Sequence, residues 1–261
     1  MSELLRSVLL SDLGFHHGFN LRQGGVSQGP FASFNLGRSV GDGPAAVEEN
    51  HRRFAAAVGY PERALFETSQ VHGGAVHRVA GEQVVSEVRL HEADALVTAA
   101  AGAAIGVRVA DCVAVLLADP DSGAVAAAHA GWRGTVRGVL EAAVAELAAV
   151  GGGRPAVFAA AIFPHIRSCC FEVGQDVADT LRAASAVDPV RIVPGQLRPR
   201  VDLSAIVGAK LRALGLSEER IDDVPGCTRC EPERFFSYRG LGPQSGRHVA
   251  AIVARGGVAE P

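Results

Sequence analysis

The chain has 261 residues, 48% hydrophobic and 20% charged, with a formal net charge of −3 and a mean hydropathy of +0.19. These values exclude a disordered, collagen-like or highly charged rod-like protein. They also provide no basic field to draw in nucleic acid. At this length one large domain or two closely packed halves are expected, and the reading adopted is a single domain over residues 1–261.

Along the chain, Leu4 to Leu10 is the first helical-looking run. It is too short to span a bilayer and is cut by Arg6. No basic segment followed by a sustained apolar one reads as a signal peptide. A cytoplasmic protein with no membrane partner is therefore expected. The first forty residues are rich in Gly, Ser and Phe and suit short strands and turns, with Gly24-Gly25 and Gly29-Pro30 as turn signals.

A helix is predicted over Pro44 to Val58, closed by Gly59. Val- and Ile-rich runs predict strands over Ala75–Val79, Ala95–Val97, Ala104–Val109, Val113–Ala118 and Ala124–Ala128. Pro120-Asp121-Ser122-Gly123 joins the last two as a hairpin. An Ala-rich helix over Thr135–Val150 stops at three glycines, and a strand over Ala156–Ala161 follows. Helices over Val173–Ala184 and Leu203–Leu214 and a strand over His248–Ala254 complete the set. Residues 151–155 and 186–199 are possible seams. Strands and helices without strict alternation point to a mixed-sheet α/β or α+β fold.

Three short segments stand out as candidates for chemistry: Thr68-Ser69-Gln70-Val71-His72-Gly73-Gly74, Ala110-Asp111-Cys112, and His129-Ala130-Gly131-Trp132-Arg133-Gly134-Thr135. In the third, a strand ends, His129 emerges, and a helix starts at Thr135 beside Arg133, an arrangement that attracts anions. The spacings, 40 residues from His72 to Cys112 and 17 on to His129, match no local zinc-finger pattern. The three residues must therefore meet in space if they act together.

If they meet, two chemistries are open. Two imidazoles and a thiolate with one free position make a catalytic zinc site that acidifies water to about pKa 7, and the same donors suit copper. Alternatively Cys112 is a nucleophile with a histidine as base and no metal. Asp111 is the candidate supporting carboxylate or proton shuttle in either case.

The five cysteines are expected to be reduced. Cys227-Thr228-Arg229-Cys230 is a lone CxxC, since adjacent Cys169-Cys170 have a poor chelating spacing. With Glu231-Pro232 following it, this motif reads as structural rather than redox-active.

Taken together, the segments resemble the YfiH or laccase-domain family, also called the multicopper polyphenol oxidase-like family and, in bacteria, peptidoglycan editing factor. The resemblance runs through GGVSQGPFASFNLG with Gly41-Asp42, then Asn50, SQVHG (69–73), ADALVT (93–98), ADCVAVLLAD (110–119), HAGWRGT (129–135), FEVG (171–174), VDL (201–203), CTRC (227–230), FFSYR (235–239) and Gly246-Arg247. It implies a four-layer α/β/β/α sandwich with mixed sheets and a metal-binding catalytic triad of His72, Cys112 and His129. It also implies zinc, with copper in oxidase-active members. The implied chemistry is phosphorolysis of adenosine, inosine and methylthioadenosine and deamination of adenosine.

Arg133 is then the phosphate-binding candidate, with Asn35 and Gln70 as nucleoside contacts. The expected partners are small molecules, a purine nucleoside and phosphate, acting on a monomer or weak homo-oligomer. A copper phenol oxidase, a metal-free cysteine hydrolase acting on cell-wall precursors, and a non-catalytic binding module remain as alternatives. One departure from the family pattern is Phe163-Pro164-His165-Ile166, expected at the pocket rim, where it would alter substrate preference.

Overall fold

The computed structural model describes residues 4–192 and 197–256. Two sheets dominate it. One has six strands, ordered Ile221–Asp223, Ala159–Ile162, Val113–Ala118, Val125–Ala130, Ala95–Thr98 and Val76–Arg78. The other has five, ordered Leu4–Leu5, His17–Asn20, His248–Val253, Ala104–Val109 and Leu65–Phe66. A two-stranded ribbon pairs Val190–Arg191 with Arg200–Val201. Both large sheets mix parallel and antiparallel pairs.

Side-chain alternation assigns the layers, because successive residues of a strand face opposite sides. Val113, Val115 and Leu117 pack with Val139, Leu140, Val144 and Leu147 and with Ile206, Val207 and Leu211 on one side of the six-stranded sheet. Ala114, Leu116 and Ala118 face the other way, onto Phe19, Ile105, Val107 and Ile252 of the five-stranded sheet. The far side of that second sheet, Ala104, Val249 and Ala251, is covered by Phe54, Ala55 and Val58. The order is therefore helix, sheet, sheet, helix, as expected for a four-layer α/β sandwich. No helix among the described residues is long and apolar enough to cross a membrane.

Several elements fall where the sequence places them. The Pro44–Val58 helix has Pro at its first turn and closes on Gly59 at φ 100°, a left-handed conformation that costs glycine little. Its buried residues Val47, Asn50, His51, Phe54, Ala55 and Val58 lie on one face at helical spacing. The hairpin pairs Ala118 with Val125 through Val113 with Ala130.

Other elements differ. Leu4–Leu5 is a strand, and the helix after it, Val8–Asp12, is capped by Ser7. The Ala-rich helix begins only at Val139, because Gly138 at φ 81° breaks it from a separate five-residue turn, Trp132–Val136. The preceding strand runs on to Ala130, so His129 lies inside it rather than beyond its end. Within the 186–199 seam, residues 193–196 lie outside the described residues.

One buried ion pair ties the second sheet to the wall of the pocket described below. Glu67 is wholly buried and accepts from Arg108 Nη1 at 2.8 Å, with Arg89 4.0 Å away. Burial favours the neutral acid, but the charges of Arg108, His51 and Arg89 outweigh it and hold Glu67 below the ordinary 4.5. A depressed folded-state pKa stabilises the protein above 4.5, and that contribution fades as pH falls through the folded value. Glu67→Ala should therefore cost about 3 kcal/mol at neutral pH by urea unfolding. The gap to the native protein should narrow at acid pH; a gap that widens there would contradict this assignment.

Candidate functional site

The site grows from a buried carboxylate. Asp94, one residue before the Ala95–Thr98 strand, is fully buried. An ionised carboxylate there must be surrounded by donors. Its oxygens accept from the backbone N–H groups of Val71 (3.1 Å), His72 (2.9 Å) and Gly73 (2.6 Å), and from His129 Nδ1 at 2.7 Å. Burial opposes its charge, but the His129 and backbone hydrogen bonds prevail and lower its pKa. One side chain therefore folds the loop that carries His72 and orients the imidazole of His129.

His72 takes a left-handed backbone at φ 58°, and its carbonyl accepts from Arg137 Nη1 at 2.9 Å. Close packing beneath it needs glycine: a Cβ at Gly74 would lie 2.4 Å from the Arg137 carbonyl oxygen. His129 sits on the strand face shared by Val125 and Ala127, towards the second sheet. With Nδ1 held by Asp94, its Nε2 faces Cys112. Cys112 Sγ lies 3.9 Å from His72 Nε2. The ligating atoms of His72, Cys112 and His129 all fall within 4.8 Å of one another.

Charge follows from this packing. Burial disfavours a thiolate at Cys112, but the adjacent His129 and His72 outweigh it and hold the thiol down at about 6. Burial likewise opposes an imidazolium at His129, yet the Cys112 sulfur and Asp94 raise it to about 9. The donor set fits a metal ion. It offers a thiolate and two imidazoles at distances compatible with Zn–S near 2.3 Å and Zn–N near 2.0 Å, with a carboxylate behind one imidazole. Gly131 keeps the space beside it open, since a Cβ there would lie 2.8 Å from Cys112 Sγ and 3.2 Å from His72 Cδ2.

These residues open into a cavity of about 730 Å³ whose wall includes Trp132, Arg133, Phe171, Tyr238, Arg239 and Arg247. A larger surface cleft of about 1100 Å³, bordered by Leu4, Arg6, Arg52, Arg53 and Arg234, holds no histidine or cysteine. Arg133 reaches the site cavity, its guanidinium 4.4 Å above the Trp132 ring. The expected helix start at Thr135 is not there, because Thr135 N–H already donates to the Gly131 carbonyl. The anion-attracting group at this place is Arg133 itself.

Of the two expected nucleoside contacts, Gln70 borders the cavity and Asn35 does not. Both ends of the Gln70 amide bond the backbone of Arg108, at 2.8 Å each. Asn35 is fully buried and pins Gly37 and Arg247 through its oxygen, with Asp42 on its nitrogen. It positions the wall without reaching the cavity.

Asp111 borders the cavity, but the supporting place behind the histidine belongs to Asp94. At φ 87°, Asp111 turns its two oxygens to Thr228 Oγ1 and the Arg239 N–H, each at 2.6 Å. Phe163 and His165 are fully buried, Phe163 stacked on Phe19 at 5.6 Å. Of that segment only Ile166 borders the cavity, so the departure at residues 163–165 changes the core, not the rim. Asp94 is the residue sequence reading missed. Its signal was an acidic residue set directly against an apolar strand, where a charge needs buried partners.

Asp94→Asn removes the charge that holds His129 and loosens the His72 loop. It is expected to weaken retention of a divalent metal by about 10- to 100-fold in chelator competition. Unchanged retention would show that the carboxylate does not organise the site.

Comparison with known proteins agrees with this architecture. Residues 16–255 match the family model described as multi-copper polyphenol oxidoreductase laccase. A Streptomyces coelicolor protein named purine nucleoside phosphorylase is 41% identical over 87% of this chain and 90% of its own length. A Deinococcus radiodurans protein of the same name is 39% identical over 92% of this chain and 90% of its own length. The crystal structure of Bacillus licheniformis YfiH superposes with a TM-score of 0.85, at 29% identity and covering 91% of this chain and 92% of that one. The chain belongs to the multi-copper polyphenol oxidoreductase laccase family, the YfiH family of its structural relatives.

Proposed function

We propose that the protein is a metal-dependent purine nucleoside phosphorylase, acting on adenosine, inosine and methylthioadenosine, with deamination of adenosine to inosine at the same site. The observation that carries the reading is the charge of the cavity. Arg133, Arg239 and Arg247 border it, and among the described residues none of the three has a carboxylate partner within 4.0 Å. Asp111, the acidic residue on the same wall, already accepts two hydrogen bonds. Such a wall favours an anion the size of phosphate. Phe171, Trp132 and Tyr238 line the same cavity, each with one of these arginines over its ring, and add aromatic surface suited to a purine. The names of the relatives support the same substrate class.

In phosphorolysis a phosphate oxygen bonds to C1′ of the ribose. The bond from C1′ to the purine nitrogen breaks, and its electron pair leaves with the base, which takes up a proton. Arg133 binds and orients the phosphate. Asp94 keeps a proton on His129 Nδ1 and so fixes which nitrogen faces the cavity. His72, Cys112 and His129 would hold the metal, zinc in this reading and copper as the alternative, which supplies Lewis acidity when bound.

A second reading has a specific observation behind it. Cys112, His129 and Asp94 form a thiolate, imidazole and carboxylate series of the kind that activates a nucleophile without metal. Chelation separates the two readings, because a metal-free cysteine hydrolase keeps its activity.

The test is incubation with adenosine or inosine, with and without phosphate, followed by mass analysis. Free base and ribose 1-phosphate should form only with phosphate, and chelator or Cys112→Ala should abolish them. Arg133→Ala should raise the KM for phosphate by roughly 10- to 100-fold, the worth of one charged hydrogen bond, while the nucleoside KM changes much less. Equal rises in both constants would remove Arg133 from the phosphate site. Base release independent of phosphate would replace phosphorolysis with hydrolysis.

A further inference from the structure

A second sulfur-rich cluster lies outside the cavity. The strands Ala159–Ile162 and Ile221–Asp223 are parallel neighbours, Asp223 opposite Ile162, so the chain leaves both at the same end of the sheet. A bridge between His165 and Cys227 carries the pairing onward. The turn after the first strand presents Cys169 and Cys170, and the turn after the second presents Cys227 and Cys230. The adjacent spacing of Cys169 and Cys170, read from sequence as a poor chelate, is overcome because the second pair supplies the facing half.

We propose that Cys169, Cys170, Cys227 and Cys230 form a structural tetrathiolate site for one zinc ion, separate from the His72–Cys112–His129 centre. Cys169 Sγ lies 3.5 Å from Cys227 Sγ and 3.4 Å from Cys230 Sγ, and Cys170 Sγ lies 3.3 Å from Cys230 Sγ. All four sulfurs fall within 4.8 Å of one another. A zinc ion bonded at about 2.3 Å to four tetrahedral sulfurs would space them about 3.8 Å apart, inside that range. Disulfides need discrete pairs, whereas here Cys230 neighbours both Cys169 and Cys170, and Cys169 neighbours both Cys227 and Cys230. Four thiolates without oxygen or nitrogen donors select a soft tetrahedral ion. The Arg167 N–H points at Cys227 Sγ from 3.5 Å, a donor suited to a thiolate. Cys169 and Cys230 are exposed, which gives the ion a way in.

The ion would staple two turns that build the cavity wall. One carries Ile166 and Phe171. In the other, Thr228 lies within the CxxC and donates to Asp111, the neighbour of Cys112.

The decisive protein is the full chain carrying His72→Ala and Cys112→Ala, purified after growth with zinc. It should retain about one zinc per chain, as expected of an independent structural site, and replacement by cobalt should give the intense charge-transfer absorption of four thiolate ligands. In the otherwise native chain, Cys169→Ser with Cys230→Ser should lose that cobalt signature. Should that variant fail to fold, stepwise addition of a mercurial to the His72→Ala, Cys112→Ala chain, whose remaining cysteines are the four proposed ligands, should release the ion as four thiols react. A folded His72→Ala, Cys112→Ala protein without zinc, or four cysteines recovered as two disulfides, would overturn the proposal. Neither result bears on nucleoside turnover.

Discussion

The buried charge of Asp94 is the constraint on which the rest of the site depends. A carboxylate wholly removed from water is tolerable only when donors surround it. Here three consecutive backbone N–H groups and one imidazole do so. Satisfying Asp94 fixes the loop of residues 71–73 against the six-stranded sheet, and with it the left-handed backbone of His72. The same carboxylate selects the His129 nitrogen that faces Cys112. Two residues separated by 57 positions are thereby set by one side chain, and the thiolate at Cys112 is stabilised by the imidazolium that Asp94 supports.

The layers explain why this cluster is reachable at all. Ala114, Leu116 and Ala118 bury one face of their strand between the sheets, and Cys112 lies two residues before that series, on the same side. His129 likewise follows Val125 and Ala127. Both side chains belong by parity to the inter-sheet layer, but at its end, where the sheets give way to the cavity. Alanines on the neighbouring strands keep the sheets close, and Gly131 lets the chain turn away without filling the space between sulfur and imidazole.

Much of the fold was legible because strands buried on both faces read as continuous apolar runs. Val113–Ala118 matches such a run, and Ala104–Val109 falls where the Val- and Ile-rich pattern places it although Arg108 interrupts it. The Ala-rich helix was misread at its start because helical spacing continues through Gly138, whose left-handed backbone leaves no trace in the pattern. His72, Cys112 and His129 could be picked out by residue type and flanking glycines. Their convergence could not, since it depends on Asp94 and on strand order. Gln70 borders the cavity, whereas Asn35 reads as a ligand contact only because polar residues near glycines suit binding loops and frameworks equally well. The amides of both residues bond the backbone, at Arg108 for Gln70 and at Gly37 and Arg247 for Asn35. Cys169 and Cys227 show the same limit more sharply: sequence spacing measures distance along the chain, whereas parallel strands bring their following turns together however far apart they lie.

The four-cysteine cluster and the His72–Cys112–His129 centre are joined by a short covalent and hydrogen-bonded route. Thr228, between Cys227 and Cys230, donates to Asp111 at 2.6 Å, and Asp111 precedes Cys112. The other Asp111 oxygen takes the Arg239 N–H, and Arg239 borders the cavity with its guanidinium 5.6 Å from the Phe171 ring. Asp111 is held at φ 87°, which a non-glycine residue adopts only under such compulsion. Its two hydrogen bonds hold that conformation in place and so aim Cys112 at the histidines. Displacing the turn that carries Thr228 would relax Asp111 and swing the sulfur, even with His72 and His129 undisturbed. The carboxylate at position 94 sets the imidazoles and the one at position 111 sets the sulfur, so the site is assembled by two buried acids with separate tasks.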